Sequence, residues 1–361
     1  MTGAMSAQER AAQLVRPEIR ALSAYAVAKA QGLVKLDAME NPYALPVATR
    51  ERIANAVRDL PINRYPAGGG EQVKRALRET YGIDDDLAIM LGNGSDELIQ
   101  IVTYALARPN AVMAVPQPSF VMYRMNAIYS GMRFVGVDLA PDFGLDLPSW
   151  REVIARERPA LVFIAYPNNP TGNLFADEDV EEIVATTPGL VVIDEAYHAF
   201  AQRSFVDRIR AYPNVIVLRT LSKLGMAGLR LGYAIGAPEW IGEFEKLRPP
   251  YNVNAITQAI VPMLLADGTL LEEQAAAIRH ERARLGRELA RIRGVIVYPS
   301  DANFIVIRVA DAPAWFNELA KAGILVKNLH GWHPLVANCL RVTVGTPDEN
   351  DLLLTALRKL T

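Results

Sequence analysis

Residues 219–236 read RTLSKLGMAGLRLGYAIG, with Lys223 and Arg230 seven positions apart among apolar residues and glycines. An ammonium is costly to desolvate unless it is paired or loses its charge. A lysine so placed is a candidate nucleophile and proton carrier, because burial and a neighbouring cation both lower its pKa. Other polar residues gather in the same manner, each directly after an apolar run. GNGSDE (92–97) is a glycine turn opening a helix. The backbone N–H groups of Gly94, Ser95 and Asp96 would suit a phosphate at the helix N-terminus, although the same residues also read as an ordinary cap. YPNNPTG (166–172) holds Asn169 in what, alone, is a turn. LVVIDEAY (190–197) sets Asp194 at a strand end with Tyr197 one turn on, and Thr220 and Ser222 lead into Lys223. Alone, Asp194 reads as a satisfied buried carboxylate and Arg230 as half of an ion pair. Four such pieces in series are hard to assemble by chance.

The elements that must position them are legible as runs. Candidate strands cover residues 87–91, 111–115, 133–139, 160–165, 190–194, 215–219 and 231–236. Several are apolar at every position, which implies burial on both faces of a mostly parallel sheet. Segments 95–107, 119–130, 148–156 and 177–187 supply intervening helices, with Asp177 as an N-cap before an acidic first turn. Alternating strands and helices predict an α/β architecture in which seven strands are sandwiched by helices. Ligands of such sheets bind at the carboxyl ends of the strands. After residue 250 the texture changes. A charged helical stretch at about 270–293 precedes short strands and helices at 313–322 and 347–360, which predict a smaller α+β domain. The division expected is an arm over 1–35, a large domain over 36–250 and a small domain over 251–361.

The chain has 361 residues and a net charge of −2, which gives no electrostatic reason to expect nucleic acid or an anionic membrane. No stretch reaches the run of about 18 apolar residues that a spanning helix requires. The start has no apolar core of a secretory signal. One cysteine, Cys339, excludes an internal disulfide and suits a reducing compartment. A cytoplasmic protein is expected. His330 and His333 in HGWHP lack a third ligand nearby in sequence, so no metal site is expected. The run at 272–293 reads as a solvated helix face.

NNPTG, DEAY and TLSKLGMAGLRLGY together resemble the fold type I, pyridoxal-phosphate-dependent aminotransferases of class I/II. The resemblance spans nearly the whole chain, from LDAMENPY (36–43) to CLRVTVGT (339–346). NRYP (63–66), ENP (40–42) and LRVTVG narrow it to the branch that acts on histidinol phosphate. The resemblance implies pyridoxal 5′-phosphate bound as an imine to Lys223, whose amine then moves the substrate's proton. It assigns Asp194 to the ring nitrogen, Asn169 and Tyr197 to the phenolic oxygen, and Phe120 to the ring face, where relatives often carry tyrosine. Gly94, Ser95, Asp96, Thr220, Ser222 and Arg230 would hold the phosphate. Tyr65 would reach it from a neighbouring subunit, so a homodimer with shared active sites is implied.

Arg341 matches the position where relatives bind the substrate's anion, and a guanidinium fork suits carboxylate and phosphate alike. The family's second arginine falls on Lys327, which keeps the charge without the fork. Met39 stands where relatives often have asparagine. Tyr25, Asn41, Tyr123, Tyr251 and Asn303 are candidates for an imidazole pocket or for ordinary packing at a domain seam. The reaction implied is transamination between L-histidinol phosphate and 2-oxoglutarate, giving imidazole acetol phosphate and glutamate. A general aromatic aminotransferase and a threonine-phosphate decarboxylase share most of these features. A transcription regulator with an aminotransferase-like domain would need a helix-turn-helix, for which 35 residues are too few.

Overall fold

A computed structural model describes residues 5–24, 30–66 and 68–360. Its strands are β1 (Val34–Lys35), β2 (Ala88–Asn93), β3 (Val112–Gln117), β4 (Arg133–Asp138), β5 (Leu161–Ala165), β6 (Leu190–Asp194), β7 (Val215–Thr220) and β8 (Leu231–Gly236), followed by β9 (Ile296–Val297), β10 (Phe304–Arg308), β11 (Ile324–Leu325), β12 (Lys327–Asn328) and β13 (Cys339–Thr343). The large sheet runs β2-β8-β7-β6-β5-β3-β4. Only β8 lies antiparallel to its neighbours; the other pairings are parallel. Every residue of β5 to β8 is buried, as expected of strands covered on both faces. Alternate residues feed two cores. Val162, Ile164, Val191, Ile193 and Val217 belong to one, and Leu161, Phe163, Val192, Ile216 and Leu218 to the other.

Helices Ser95–Leu106, Val121–Ser130, Leu147–Glu157 and Asp177–Thr186 fill the expected connections. One local expectation fails. Ala176, not Asp177, is the N-cap of the last of these helices, and it makes no side-chain cap bond. The Asp177 carboxylate instead accepts from the Tyr166 hydroxyl, from Arg203 at 3.1 Å and from Arg208 at 2.5 Å. Two guanidinium donors outweigh one backbone amide as partners for that carboxylate.

The C-terminal part holds an antiparallel sheet, β12-β13-β10-β9, and a short parallel pair, β1-β11. The charged helix spans Gly268–Ala290 and is not simply a solvated face. Leu271, Ala275, Ile278, Leu285 and Leu289 form a buried stripe at helical spacing. Buried Glu281 accepts from Arg284 and from Asn350 at 2.9 Å. Arg279 and Arg282 donate to the backbone carbonyls of Ala199 and Ala302. Residues 34–39 thread across this part as a strap. Leu36 N–H donates to Leu325 O at 2.8 Å, and Thr343 N–H to Leu36 O at 2.9 Å. Among the described residues no single helix is long and apolar enough to cross a membrane.

Candidate active site

Parallel strands end at one edge of the large sheet, and the motif residues follow those ends. Asp194 closes β6 and is buried. Its Oδ2 accepts from the Tyr123 hydroxyl at 2.7 Å and its Oδ1 from Ala196 N–H at 3.1 Å. Burial pushes its pKa from 3.8 up to about 6, against the pull of those two donors. A cationic partner would restore the carboxylate. Tyr123 is fully buried and stacks on Phe163 at 4.7 Å. The sequence offers it to an imidazole pocket; the fold commits its hydroxyl to Asp194.

The anion cradle forms where β2 turns into helix Ser95–Leu106. That helix has Gly94 at its N-cap and no side-chain cap bond, so its first amides are left to another acceptor. Thr220 and Ser222 face them, their hydroxyls 3.0 Å apart, and Arg230 Nη1 donates to Ser222 Oγ at 3.2 Å. Arg230 Nη2 lies 3.6 Å from Asp96. A Cβ at Gly94 would sit 2.5 Å from Arg230 Nη2, and one at Gly232 only 2.5 Å from the Ser95 nitrogen. Glycine at both positions therefore keeps the corner open. Gly232→Ala is expected to lower stability by about 1–3 kcal/mol, since backbone must shift to admit the methyl. Thermal melts with and without pyridoxal phosphate check this. An unchanged melt and unchanged cofactor affinity would show that the Ser95 backbone yields freely.

Lys223 Nζ donates to Ala38 O at 3.2 Å, on the strap. Burial, and then Arg341, lower its pKa from 10.5 to about 8. Arg230 lowers it too, as its place in the sequence suggests, but by less than Arg341. Arg341 lies on β13 and is buried. Its Nη1 donates to Asn169 Oδ1 at 2.6 Å and its Nη2 to Asp37 O at 3.0 Å. Asn169 Nδ2 in turn reaches the Tyr197 oxygen at 3.1 Å. Burial raises the Tyr197 pKa, so its phenol stays protonated as a donor. Lys327 pairs directly across from Arg341.

One cavity is lined by Ser95, Asp96, Phe120, Tyr123, Asn169, Asp194, Tyr197, Thr220, Ser222, Lys223 and Arg230. Anion cradle, buried acid, aromatic ring and low-pKa amine share its wall. That set fits a phosphorylated pyridine aldehyde. Met39, Ala165 and Ala196 also line the cavity; Met39 and Ala196 lie inside LDAMENPY and DEAY, but the sequence marks neither as a site candidate. Met39 adopts φ +54°, with its N–H bonded to Thr343 Oγ1 and its carbonyl to Asn303 Nδ2. Its departure from asparagine is the one local signal.

Several candidates fall elsewhere. Asn41 uses its amide on Leu224 O and Gln274 Oε1, and its oxygen on Tyr43 N–H. Asn303 is buried behind the strap. Tyr65, 77 % exposed, stacks at 4.4 Å on Tyr251, 54 % exposed, away from the cavity within one chain. Tyr25 lies outside the described residues. His330 and His333 accept backbone N–H groups of their own loop, and no group of three metal-ligating side chains occurs among the described residues.

The family model described as aminotransferase class I and II matches residues 31–357. A histidinol-phosphate aminotransferase of Chromobacterium violaceum is 52 % identical over 347 residues, covering 96 % of this chain and 98 % of that protein. A second from Nitrosococcus oceani, named histidinol-phosphate aminotransferase 2, is 49 % identical over 97 % of this chain and 98 % of its own length. The crystal structure of histidinol-phosphate aminotransferase from Sinorhizobium meliloti, in complex with pyridoxal-5′-phosphate, superposes with a TM-score of 0.84 at 26 % identity. It covers 96 % of this chain and 97 % of that one.

Proposed function

The chain belongs to the aminotransferase class I and II family, and on that premise we propose that it transfers the amino group of L-histidinol phosphate to 2-oxoglutarate with pyridoxal 5′-phosphate as cofactor. The observation that carries this reading is one cavity whose wall joins the Lys223 amine, the buried Asp194 and an anion cradle, with Arg341 hydrogen-bonded to its lining residue Asn169. The cradle of Ser95, Asp96, Thr220, Ser222 and Arg230 suits the cofactor's phosphate. Arg341, beyond Asn169, suits the substrate's anion.

Bound cofactor supplies an aldehyde that condenses with amines and a protonated ring that withdraws electrons from the substrate's Cα. Asp194 holds the proton on the ring nitrogen, and Tyr123 and the Ala196 amide hold Asp194. Tyr197 and Asn169 donate to the phenolic oxygen. Phe120 offers a flat face for the ring. The Lys223 amine would carry the proton of the substrate's Cα, work for which a pKa of about 8 is suited. Arg341 orients the substrate. Its planar fork would donate to the phosphate ester in one half-reaction and to the carboxylate of glutamate in the other.

The reading includes a homodimer in the cytoplasm. The exposed Tyr65–Tyr251 stack supports a partner surface, and the lone free Cys339 suits a reducing compartment.

Titration of the loaded enzyme tests the substrate. Histidinol phosphate is expected to convert the cofactor absorbance to the amino form at far lower concentration than phenylalanine does. Equal dependence on both would favour a general aromatic aminotransferase, and carbon dioxide release without a keto acid a decarboxylase. Arg341→Ala is expected to raise KM for both histidinol phosphate and glutamate by roughly 10- to 100-fold, the scale of a lost charged hydrogen bond. A rise for glutamate alone would place the phosphate elsewhere.

A further inference from the structure

We propose that Trp332 is a positioning residue for phosphate-ester recognition, its indole face holding the Lys327 ammonium beside Arg341 as a second cation. The inference rests on the reading above. Lys327 on β12 and Arg341 on β13 are direct cross-strand partners, so their side chains share one face of the small sheet. Arg341 extends from that face to Asn169. The Lys327 ammonium lies 5.3 Å from the centre of the Trp332 ring. Among the described residues it forms no ion pair with a carboxylate; Asp37, whose charge acts on it, pairs with Lys35 at 3.5 Å.

The choice of partner matters chemically. Burial and then Arg341 both press Lys327 towards its neutral form. A carboxylate would keep it charged but cancel that charge. An aromatic face favours the cation without adding a neutralising charge of its own. Two neighbouring cations suit a phosphate ester, close to dianionic at neutral pH, better than a single carboxylate.

The loop presenting Trp332 is built for the purpose by the two histidines that look, in sequence, like half of a metal site. His330 Nδ1 accepts Asn338 N–H at 3.2 Å and His333 Nδ1 accepts Leu335 N–H at 3.3 Å. His333 Nε2 meets Asp138 at 3.2 Å, Asn328 Oδ1 accepts His330 N–H at 2.9 Å, and Trp332 N–H closes a turn on Leu329 O at 3.1 Å. Trp332 itself is 45 % exposed and contributes to neither core. The cation contact is the one directional interaction its side chain makes among the described residues.

The test is a comparison of steady-state constants for Trp332→Ala, Trp332→Phe, Lys327→Ala and the Lys327→Ala/Trp332→Ala double variant, each as cofactor-loaded enzyme. Trp332→Ala is expected to raise KM for histidinol phosphate about two- to five-fold, the scale of an exposed cation–π contact. Its kcat and its KM for glutamate should stay unchanged. Inorganic phosphate, used as a competitive inhibitor, should weaken by the same factor. Trp332→Phe restores most of the loss, and the double variant matches Lys327→Ala alone. An unchanged KM, an equal rise for both substrates, or additive losses in the double variant would overturn the proposal. Failure of the wild-type enzyme to use histidinol phosphate at all would instead overturn the parent reading.

Discussion

Lys223→Ala is expected to reduce turnover by about 10⁴-fold or more while leaving the cofactor site able to bind. Positioned proton transfer alone is worth roughly 10²–10⁴, and this variant loses the covalent tether as well. The cavity offers no second amine to replace it: its remaining wall is hydroxyl, amide, carboxylate, guanidinium, ring, thioether and methyl. Binding survives because the phosphate cradle draws on Ser95, Asp96, Thr220, Ser222 and Arg230, none of which hydrogen-bonds to Lys223. Two measurements separate these effects. Gel filtration should strip cofactor from the variant faster than from wild type, and borohydride should fix no label at position 223. Near-normal turnover in the variant would remove the amine from the mechanism, whatever the rest of the cavity does.

Residues that follow directly on an apolar strand are legible in the amino-acid sequence, because the run itself announces where the chain emerges at the sheet edge. Asp194, Asn169, Thr220 and Lys223 are of this kind, and all line one cavity. The strands are legible for a related reason: a doubly covered parallel strand leaves no room for polar positions. Sites made by distant pairing are not. Met39 reaches the cavity only because the strap is hydrogen-bonded to Thr343 and Asn303, about 260 to 300 residues away in sequence. Tyr123 supports Asp194 from the first turn of a helix, where nothing local distinguishes a hydroxyl donor from core packing. Arg341 as the larger influence on Lys223 follows from the closeness of two separate sheets, whereas sequence adjacency points to Arg230. Glu281 sits on a helix that looks charged throughout, and its burial is made tolerable by Arg284 on the same helix and by Asn350 from the C-terminal helix.

Asp194→Asn is expected to stabilise the cofactor-free protein and to cripple the loaded enzyme. Burial raises the native pKa from 3.8 to about 6. The native state then binds this proton more tightly than the unfolded chain, so stability falls as pH climbs from about 4 to 6. The full cost, about 3 kcal/mol at 1.36 kcal/mol per pK unit, is present at neutral pH. Asparagine carries no charge and escapes it. The gain is partly offset because an amide cannot accept from both Tyr123 and Ala196 N–H; the Tyr123 hydroxyl must rotate to accept instead. A net rise of about 1–3 kcal/mol is expected for the apoprotein at pH 7.5, shrinking towards zero near pH 4, by denaturant unfolding. With pyridoxal phosphate bound the order reverses. The carboxylate now has a cationic ring nitrogen to pair with, whereas the amide cannot hold a proton there, and turnover should fall by roughly 10³-fold. Cofactor should therefore raise the melting temperature of wild type more than that of the variant. Equal cofactor stabilisation in both, with turnover intact, would mean that the buried charge at position 194 is kept for some reason other than the ring.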